Sequence, residues 1–112
     1  VLAELQAICE RRFLRYTLEE TMRAAAAPSA PAWQQRWERA VEALGVQTYA
    51  MPSGAGHDAM KLHEVMPQAM LFVRGQNSGI SHNPLESTTS DDMQIATEAF
   101  QLLLNNLSTE LN

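Results

Sequence analysis

The stretch SGAGHDAM, residues 53–60, decides the fold that the sequence predicts. The residues before it, VQTYAM (46–51), are predicted to form a short strand, and DAMKLHEVM (58–66) is predicted to form a short helix that ends before Pro67. A strand that leads through a short loop into a helix is the repeating unit of α/β folds. The loop therefore predicts an α/β fold if the flanking segments continue this alternation.

Apolar residues at helical spacing predict a further helix on either side of this unit. The first begins at Pro31, which suits a first helical turn, and ends near Gly45, which can adopt a left-handed conformation. The last begins at a capping residue, Thr89 or Ser90. The predicted buried faces are Trp33, Trp37, Ala40, Val41 and Leu44 in the first of these helices and Ile95, Ala99, Leu102, Leu103 and Leu107 in the last. Both tryptophans are interpreted as core residues rather than as walls of a ligand cage.

The segment AMLFVR, residues 69–74, is nearly all apolar and is predicted to form a strand buried on both faces. Such strands are typical of parallel sheets that are covered by helices. The predicted order from residue 31 onward is thus helix, strand, helix, strand, helix. Because two strands do not make a stable sheet, further strands are expected from outside these residues.

The N-terminal part of the chain follows a different pattern. Residues 1–12 have the apolar spacing of an amphipathic helix, and residues 13–24 alternate with a period of two, as in a half-buried strand. Such a strand often forms a sheet edge, where it can pair with another chain. AAAAPSAPA, residues 24–32, has the composition of a linker. We therefore predict a domain boundary between residues 1–27 and residues 28–112.

Composition excludes several classes of function. The 112 residues carry a net charge of −5, which argues against nucleic acid or an anionic membrane as the main partner. No apolar run is long enough for a transmembrane helix, and no signal-peptide pattern opens the chain. The single cysteine, Cys9, has no partner for an internal disulfide and does not by itself indicate a compartment, and the cytoplasm is the default expectation. Because the sequence opens with Val1 inside a helical pattern, we expect it to be a piece of a longer protein.

The loop at residues 53–60 can be interpreted in two ways. Its G-x-G-x-x-A spacing matches one form of the dinucleotide-binding fingerprint, but that site needs an acidic residue at the end of the next strand, and this strand ends in Arg74. The alternative is a loop that presents His57 to a substrate. Small residues such as Gly56 let the backbone approach a bound group, and His57 can then donate to a substrate oxygen. Asp58 either orients His57 or simply begins the helix.

A second histidine lies in the loop after the next predicted strand. In GQNSGISHNPLE, residues 75–86, His82 is followed four residues later by Glu86. Imidazole is a common ligand for zinc-like ions, and a nearby carboxylate often fixes its tautomer, although a loop histidine is more often polar surface. His63, on the predicted helix, is interpreted as structural or exposed. Because both loops leave the carboxyl ends of adjacent predicted strands, His57 and His82 are expected at one mouth of the sheet.

Two motifs, MPSGAGHDAM (51–60) and GISHNPLEST (79–88), are separated by one predicted strand and followed by a terminal helix. Together they resemble the C-terminal end of allantoate amidohydrolases and N-carbamoyl-L-amino-acid hydrolases, which are dinuclear metallopeptidase-like amidohydrolases related to β-ureidopropionase. The resemblance covers residues 31–112 well, and residues 1–24 resemble the end of the family's lid or dimerisation domain. It implies a homodimer, joined through the lid, that hydrolyses a linear carbamoyl or ureido C–N bond.

The resemblance also implies roles for particular residues. His82 falls where the family supplies its last metal ligand, and Glu86 falls where a carboxylate supports that region. Gly56 and His57 fall where the family contacts its substrate and helps to polarise the scissile carbonyl. The implied cofactors are two divalent metal ions, which can be zinc, manganese, nickel or cobalt. In the family these ions activate a bridging water while a glutamate acts as general base.

Several parts of the family's active site have no match in this sequence. They are an H-x-D segment, a Glu-Glu pair that includes the general base, a further histidine, and an arginine expected before Val1 that grips the substrate carboxylate. One histidine cannot hold a dinuclear site, so the chain alone is expected to be inactive. Two alternatives stay open. One is a relative of the peptidase or aminoacylase type, and the other is a non-catalytic module that oligomerises through residues 1–24.

Overall fold

The computed structural model describes residues 1–110, and the regular structure in this range is helical. The helices are α1 (Leu2–Arg11), α2 (Pro31–Glu42), α3 (Asp58–Leu62) and α4 (Ser90–Glu110), with a turn of 3-10 helix at Asn77–Gly79. None of these helices is both long and apolar enough to cross a membrane. Helices α1, α2 and α4 confirm the predicted helices, whereas α3 is shorter than the predicted 58–66.

Helices α2 and α4 pack against each other and form the core. The most deeply buried residues of this pair are Ala40, Ala99 and Leu103. Two fully buried alanines let the helices approach closely, and beside them the rings of Trp37 and Phe100 stack with centroids 5.8 Å apart. The predicted apolar faces of both helices are thereby confirmed, except that Ile95 lies at the exposed edge, 36% exposed.

The ends of α2 and α4 are fixed as the sequence predicts. After α2, Gly45 adopts a left-handed φ of 73°, and its N–H donates to the carbonyl of Glu42 at 2.9 Å. Before α4, the hydroxyl of Thr89 accepts the N–H of Asp92 at 3.0 Å and donates to the Asp92 carboxylate at 2.6 Å. Thr89 is therefore the N-cap of α4, and it satisfies a backbone donor that the helix itself cannot.

The predicted β-strands are not confirmed, because no strand forms within residues 1–110. The segments 13–24, 46–51 and 69–74 have no neighbour that forms a ladder with them. A strand satisfies its N–H and C=O groups only through an adjacent strand, and the described part of the chain supplies none. In the segment predicted to be buried on both faces, Phe72 and Val73 are 45% and 40% exposed. The α/β fold class therefore remains a prediction.

Residues 13–24 depart from strand geometry at one identifiable pair. The Arg23 guanidinium donates to the two carboxylate oxygens of Glu20 at 2.6 and 2.8 Å, and this hydrogen bonding lowers the pKa of the Glu20 carboxyl. Side chains three residues apart point to opposite faces of a regular strand, so the pair indicates that this segment is not one. The apolar side chains predicted to be half-buried are instead exposed, namely Leu14, Tyr16, Leu18 and Met22.

The chain is more open than a compact domain of its size. Its Cα radius of gyration is 20.0 Å, whereas a compact domain of this length has about 13 Å. Its accessible surface is 9541 Å², whereas a globular protein of this mass exposes about 6,100 Å². Phe13, Tyr49 and Val65 contribute to the excess, being 97%, 84% and 76% exposed.

Gln68 joins the linker before α2 to the segment that follows α3. The N–H of Ala30 donates to the backbone carbonyl of Gln68 at 2.7 Å, and the Gln68 side-chain amide donates to the carbonyl of Pro28 at 3.3 Å. Gln68 is only 9% exposed, so this polar residue is buried at the junction. The two hydrogen bonds place the start of the segment 69–74 beside the N-terminus of α2.

Replacement of the cap should destabilise the helix pair. Thr89→Ala removes the acceptor of the Asp92 N–H, and we expect the free energy of unfolding to fall by about 1 kcal/mol. The measurement is urea unfolding followed by far-ultraviolet circular dichroism. Thr97→Ala is the matched control, because the Thr97 hydroxyl only donates to the Met93 carbonyl within α4, and alanine favours a helix more. An equal loss of stability in both variants would contradict the capping role.

Candidate functional site

His57 immediately precedes α3 and has a half-buried, oriented side chain. Its Nε2 lies 2.9 Å from the hydroxyl of Ser53. On the imidazole ring itself, Phe72 makes an edge contact, with ring centroids 5.9 Å apart and an interplanar angle of 71°. The fold brings the loop 53–57 and the segment 69–74 together at the imidazole ring of His57. His57 is therefore held by a polar contact from its own loop and an apolar contact from a neighbouring segment.

The two glycines of this loop are not required by the local backbone. Among the described glycines, a positive φ occurs at Gly45 and Gly79, not at Gly54 or Gly56. A Cβ on Gly54 would meet no atom within 4 Å, and a Cβ on Gly56 would meet only Met60 Sδ at an ordinary 3.7 Å. Glycine at these two positions therefore leaves open backbone surface next to His57, which is what close approach by another group requires.

The second loop is closed at its base by its own hydrogen bonds. The N–H of Gln76 donates to the carbonyl of Ser87 at 2.8 Å, and the Thr88 hydroxyl donates to the carbonyl of Arg74 at 2.6 Å. The Arg74 guanidinium also forms an ion pair with Asp92 in the first turn of α4, at 3.4 Å. The loop is thus attached to the helix pair through α4.

The tip of the same loop holds His82 in an uncommon backbone conformation. His82 has a φ of 55°, which is left-handed and rare for residues other than glycine. Its N–H donates to one carboxylate oxygen of Glu86 at 2.8 Å, while Ser81 contacts the other at 3.5 Å. The side chain of Asn77 crosses the loop and donates to the carbonyl of Leu85 at 2.7 Å. Glu86 therefore supports the backbone of His82, whereas the imidazole of His82 stays exposed.

The structure joins some of the predicted site residues and leaves others apart. No hydrogen bond, ion pair or ring contact links His57 to His82 within residues 1–110. Asp58 is the exposed first residue of α3 and makes no described hydrogen bond to His57, which favours the interpretation that it begins the helix. His63 is exposed, in agreement with its interpretation. The shared mouth of His57 and His82 stays a prediction.

The side chains that are present fit part of a metal site. The exposed imidazole of His82 can supply one nitrogen ligand, whereas the Glu86 carboxylate accepts the His82 N–H at 2.8 Å and so supports the loop backbone. In the part of the chain that the structure describes, no group of three or more histidine, cysteine, aspartate or glutamate residues could hold an ion. Most ligands of any metal at this position must come from elsewhere.

Sequence reasoning missed three residues that support the two loops: Ser53, Phe72 and Asn77. Serine in a turn often bonds to the backbone two residues on, so the contact between Ser53 and Ala55 could have been predicted. Asn77 carries a similar signal, because asparagine tolerates the left-handed φ of 51° that it adopts here. Phe72 gives no such signal, because its partner His57 is distant in sequence.

Residues 5–106 match the family described as peptidase family M20/M25/M40. The chain belongs to this family. It is 36% identical over 93 residues to the N-carbamoyl-L-amino acid amidohydrolase of Geobacillus stearothermophilus, and the matched region covers 83% of this chain and 22% of that protein. It is 33% identical over 109 residues to the allantoate amidohydrolase of Bacillus subtilis strain 168, and the matched region covers 96% of this chain and 26% of that protein.

A plant relative carries a related name. The chain is 36% identical over 99 residues to a probable allantoate deiminase of Oryza sativa subsp. japonica, covering 79% of this chain and 20% of that protein. No solved structure matches the chain. These relatives confirm the resemblance that the two loop motifs carry. This M20/M25/M40 family member spans only about a quarter of the length of its relatives, or less.

The incomplete ligand set predicts that the chain binds zinc weakly. Calorimetric titration with zinc should give a dissociation constant far weaker than that of a complete site, because a single exposed imidazole offers one ligand where a stable site needs about four. Because His63 offers another exposed imidazole, His82→Ala and its matched control His63→Ala should each lower the residual heat only in part. A tight isotherm with two ions per chain would contradict this interpretation.

Proposed function

We propose that this chain supplies part of the active site of a metal-dependent amidohydrolase. The substrate class is a linear carbamoyl or ureido compound, either an N-carbamoyl-L-amino acid or allantoate. The names of the relatives support this class. The observation that carries the proposal is the half-buried His57, which is held by Ser53 and Phe72. Beside it lie two glycines whose backbone is open, and no contact within the described residues requires glycine there.

In this proposal His57 acts on the carbonyl of the scissile C–N bond. An imidazole that donates to the carbonyl oxygen stabilises the negative charge that develops there when water attacks. The contacts with Ser53 and Phe72 orient the ring before the substrate arrives, so little reorganisation accompanies the reaction. Gly56 lets the substrate approach the loop backbone without meeting a side chain. Asp58 begins the helix that follows.

His82 is proposed to bind a divalent metal ion. The candidates are zinc, manganese, nickel and cobalt, since nitrogen and oxygen ligands suit all of them. When bound, such ions supply Lewis-acid polarisation and an activated water. Glu86 acts here through the backbone, because its carboxylate accepts the His82 N–H and stabilises the left-handed turn that presents the imidazole. The remaining ligands and the general base lie outside the described residues, so the 112-residue chain alone is proposed to be inactive.

Replacement of the two histidines should separate metal binding from catalysis. The assay uses a chimera in which this chain replaces the matched region of the Geobacillus stearothermophilus relative. His57→Ala should keep the bound metal and lower kcat on the order of 100-fold or more, because it removes a donor to the developing charge. His82→Ala should lower the metal content as well as kcat, because it removes a ligand. Metal content is measured by atomic emission and kcat by hydrolysis of an N-carbamoyl-L-amino acid.

The exposed His63 provides the matched control for both variants, and His63→Ala should change neither quantity. Full activity in both the His57 and His82 variants would refute the assigned roles. Allantoate, an N-acyl amino acid and a dipeptide are assayed in parallel. Preference for either of the last two would favour the peptidase or aminoacylase alternative.

A second proposed function is association between chains through residues 13–24. The supporting observation is the exposure of Phe13 at 97%, Met22 at 78%, Leu14 at 58% and Leu18 at 57%. Large apolar side chains that are exposed close together in sequence are candidates for an interaction site. A homodimer joined through this segment fits the amidohydrolase proposal, whereas association without catalysis is the non-catalytic alternative.

Sedimentation velocity of the isolated chain tests the association. We expect a concentration-dependent dimer, and Leu18→Lys should shift it to monomer because a charge would be buried in the contact. Leu62→Lys is the matched control, since Leu62 is 46% exposed on α3, away from this segment. A monomer at every concentration would argue against the pairing surface.

A further inference from the structure

The hydroxyl of Ser53 has three polar neighbours that together determine how it bonds. It lies 3.0 Å from the carbonyl oxygen of Ala55, 3.2 Å from the Ala55 nitrogen and 2.9 Å from Nε2 of His57. A serine hydroxyl has one proton to donate and two lone pairs to accept with. The Ala55 N–H can only donate and the Ala55 carbonyl can only accept. The one neighbour free to do either is the imidazole nitrogen.

One arrangement of protons satisfies all three contacts. The hydroxyl donates to the Ala55 carbonyl and accepts both the Ala55 N–H and a proton carried on Nε2 of His57. In the reverse arrangement the hydroxyl donates to Nε2. The carbonyl oxygen of Ala55 and the hydroxyl oxygen of Ser53 would then lie 3.0 Å apart without a proton between them. That arrangement loses a hydrogen bond and adds a repulsion between two oxygens.

We propose that Ser53 is a positioning residue that selects the Nε2–H tautomer of His57. The neutral ring then carries its proton on the nitrogen that faces Ser53, and Nδ1 is left as the nitrogen available to a ligand. No described hydrogen bond occupies Nδ1. The edge contact with Phe72 restricts rotation of the ring and so keeps the two nitrogens from exchanging places.

This tautomer sharpens the role of His57, and the consequence rests on the proposed function. A neutral ring with its proton on Nε2 can only accept at Nδ1. Donation from Nδ1 to a carbonyl oxygen therefore requires the doubly protonated imidazolium. His57 would polarise a substrate carbonyl as a cation, which is a stronger donor than a neutral ring. In the neutral form it would accept a hydrogen bond from the substrate or from water.

The tautomer can be measured in the 112-residue chain without any activity assay. Long-range proton–nitrogen correlation spectra of the ¹⁵N-labelled chain, recorded where the histidines are neutral, distinguish a protonated ring nitrogen from an unprotonated one. We expect a protonated Nε2 and an unprotonated Nδ1 for His57. Ser53→Ala should lower the ratio of the Nε2–H to the Nδ1–H form by roughly threefold to tenfold, the worth of one hydrogen bond. Ser53→Thr, which keeps the hydroxyl, should restore the ratio.

Internal and external controls accompany this measurement. His63 and His82 are exposed and serve as references in the same spectra, and Ser87→Ala removes a loop hydroxyl that bonds to Gln76 rather than to a histidine. A His57 spectrum dominated by Nδ1–H would overturn the proposal. A spectrum that matches the exposed histidines, or that Ser53→Ala leaves unchanged, would overturn it equally.

The chimera separates this proposal from the proposed function. If His57→Ala leaves kcat unchanged while Ser53→Ala lowers the ratio of the Nε2–H to the Nδ1–H form, the catalytic role fails and the tautomer assignment stands. If His57→Ala abolishes turnover while Ser53→Ala leaves that ratio unchanged, the catalytic role stands and the tautomer assignment fails. When both hold, Ser53→Ala should lower kcat and Ser53→Thr should retain it, and neither variant should change the metal content.

Discussion

The close contact between α2 and α4 is the constraint on which the rest of this structure depends. It is the one pair of helices in contact within residues 1–110, and it buries Ala40, Ala99 and Leu103. One candidate loop is tied to this pair by a polar contact, and the other is linked to it only through the contact of His57 with Phe72. The loop that carries His82 is attached to α4 through Arg74, and the segment leading to Phe72 is attached to the linker before α2 through Gln68. Loss of the helix contact would therefore release both loops from a common support.

The helices could be predicted from sequence because their signals are local. A proline at the first turn, a glycine just past the end, a capping threonine and an apolar stripe all act within a few residues of one another. The strands could not be established in the same way, because a strand is stable only when a second strand satisfies its backbone groups. VQTYAM and AMLFVR have the composition of strands, but the described residues supply no partner for either. The same lack of partners explains the exposed apolar side chains of residues 13–24.

The motifs single out the histidines and glycines of the candidate site, whose roles stay predictions, and the contacts that support these residues could be predicted only in part. Glycine and histidine at 53–57 and the histidine at 82 stand out because of their type and spacing. The left-handed backbone of His82 and the carboxylate that stabilises it depend on the closure of the whole loop. The edge contact of Phe72 with His57 is a tertiary contact between two residues that lie 15 positions apart in sequence. Motifs identify which residues can react, whereas folding determines which atom of each residue is left free to do so.

The polar and apolar parts of this chain differ in how far they depend on residues outside it. Hydrogen bonds within a loop need only near neighbours, so the loops around His57 and His82 form hydrogen bonds of their own even though the chain as a whole is open. Burial of apolar surface needs distant segments, and here much of that surface remains exposed. A loop that forms its own hydrogen bonds can keep the geometry of its side chains while the apolar surface around it stays uncovered. The orientation of His57 should therefore be a property of its loop and of Phe72, whereas catalysis should be a property of the complete enzyme.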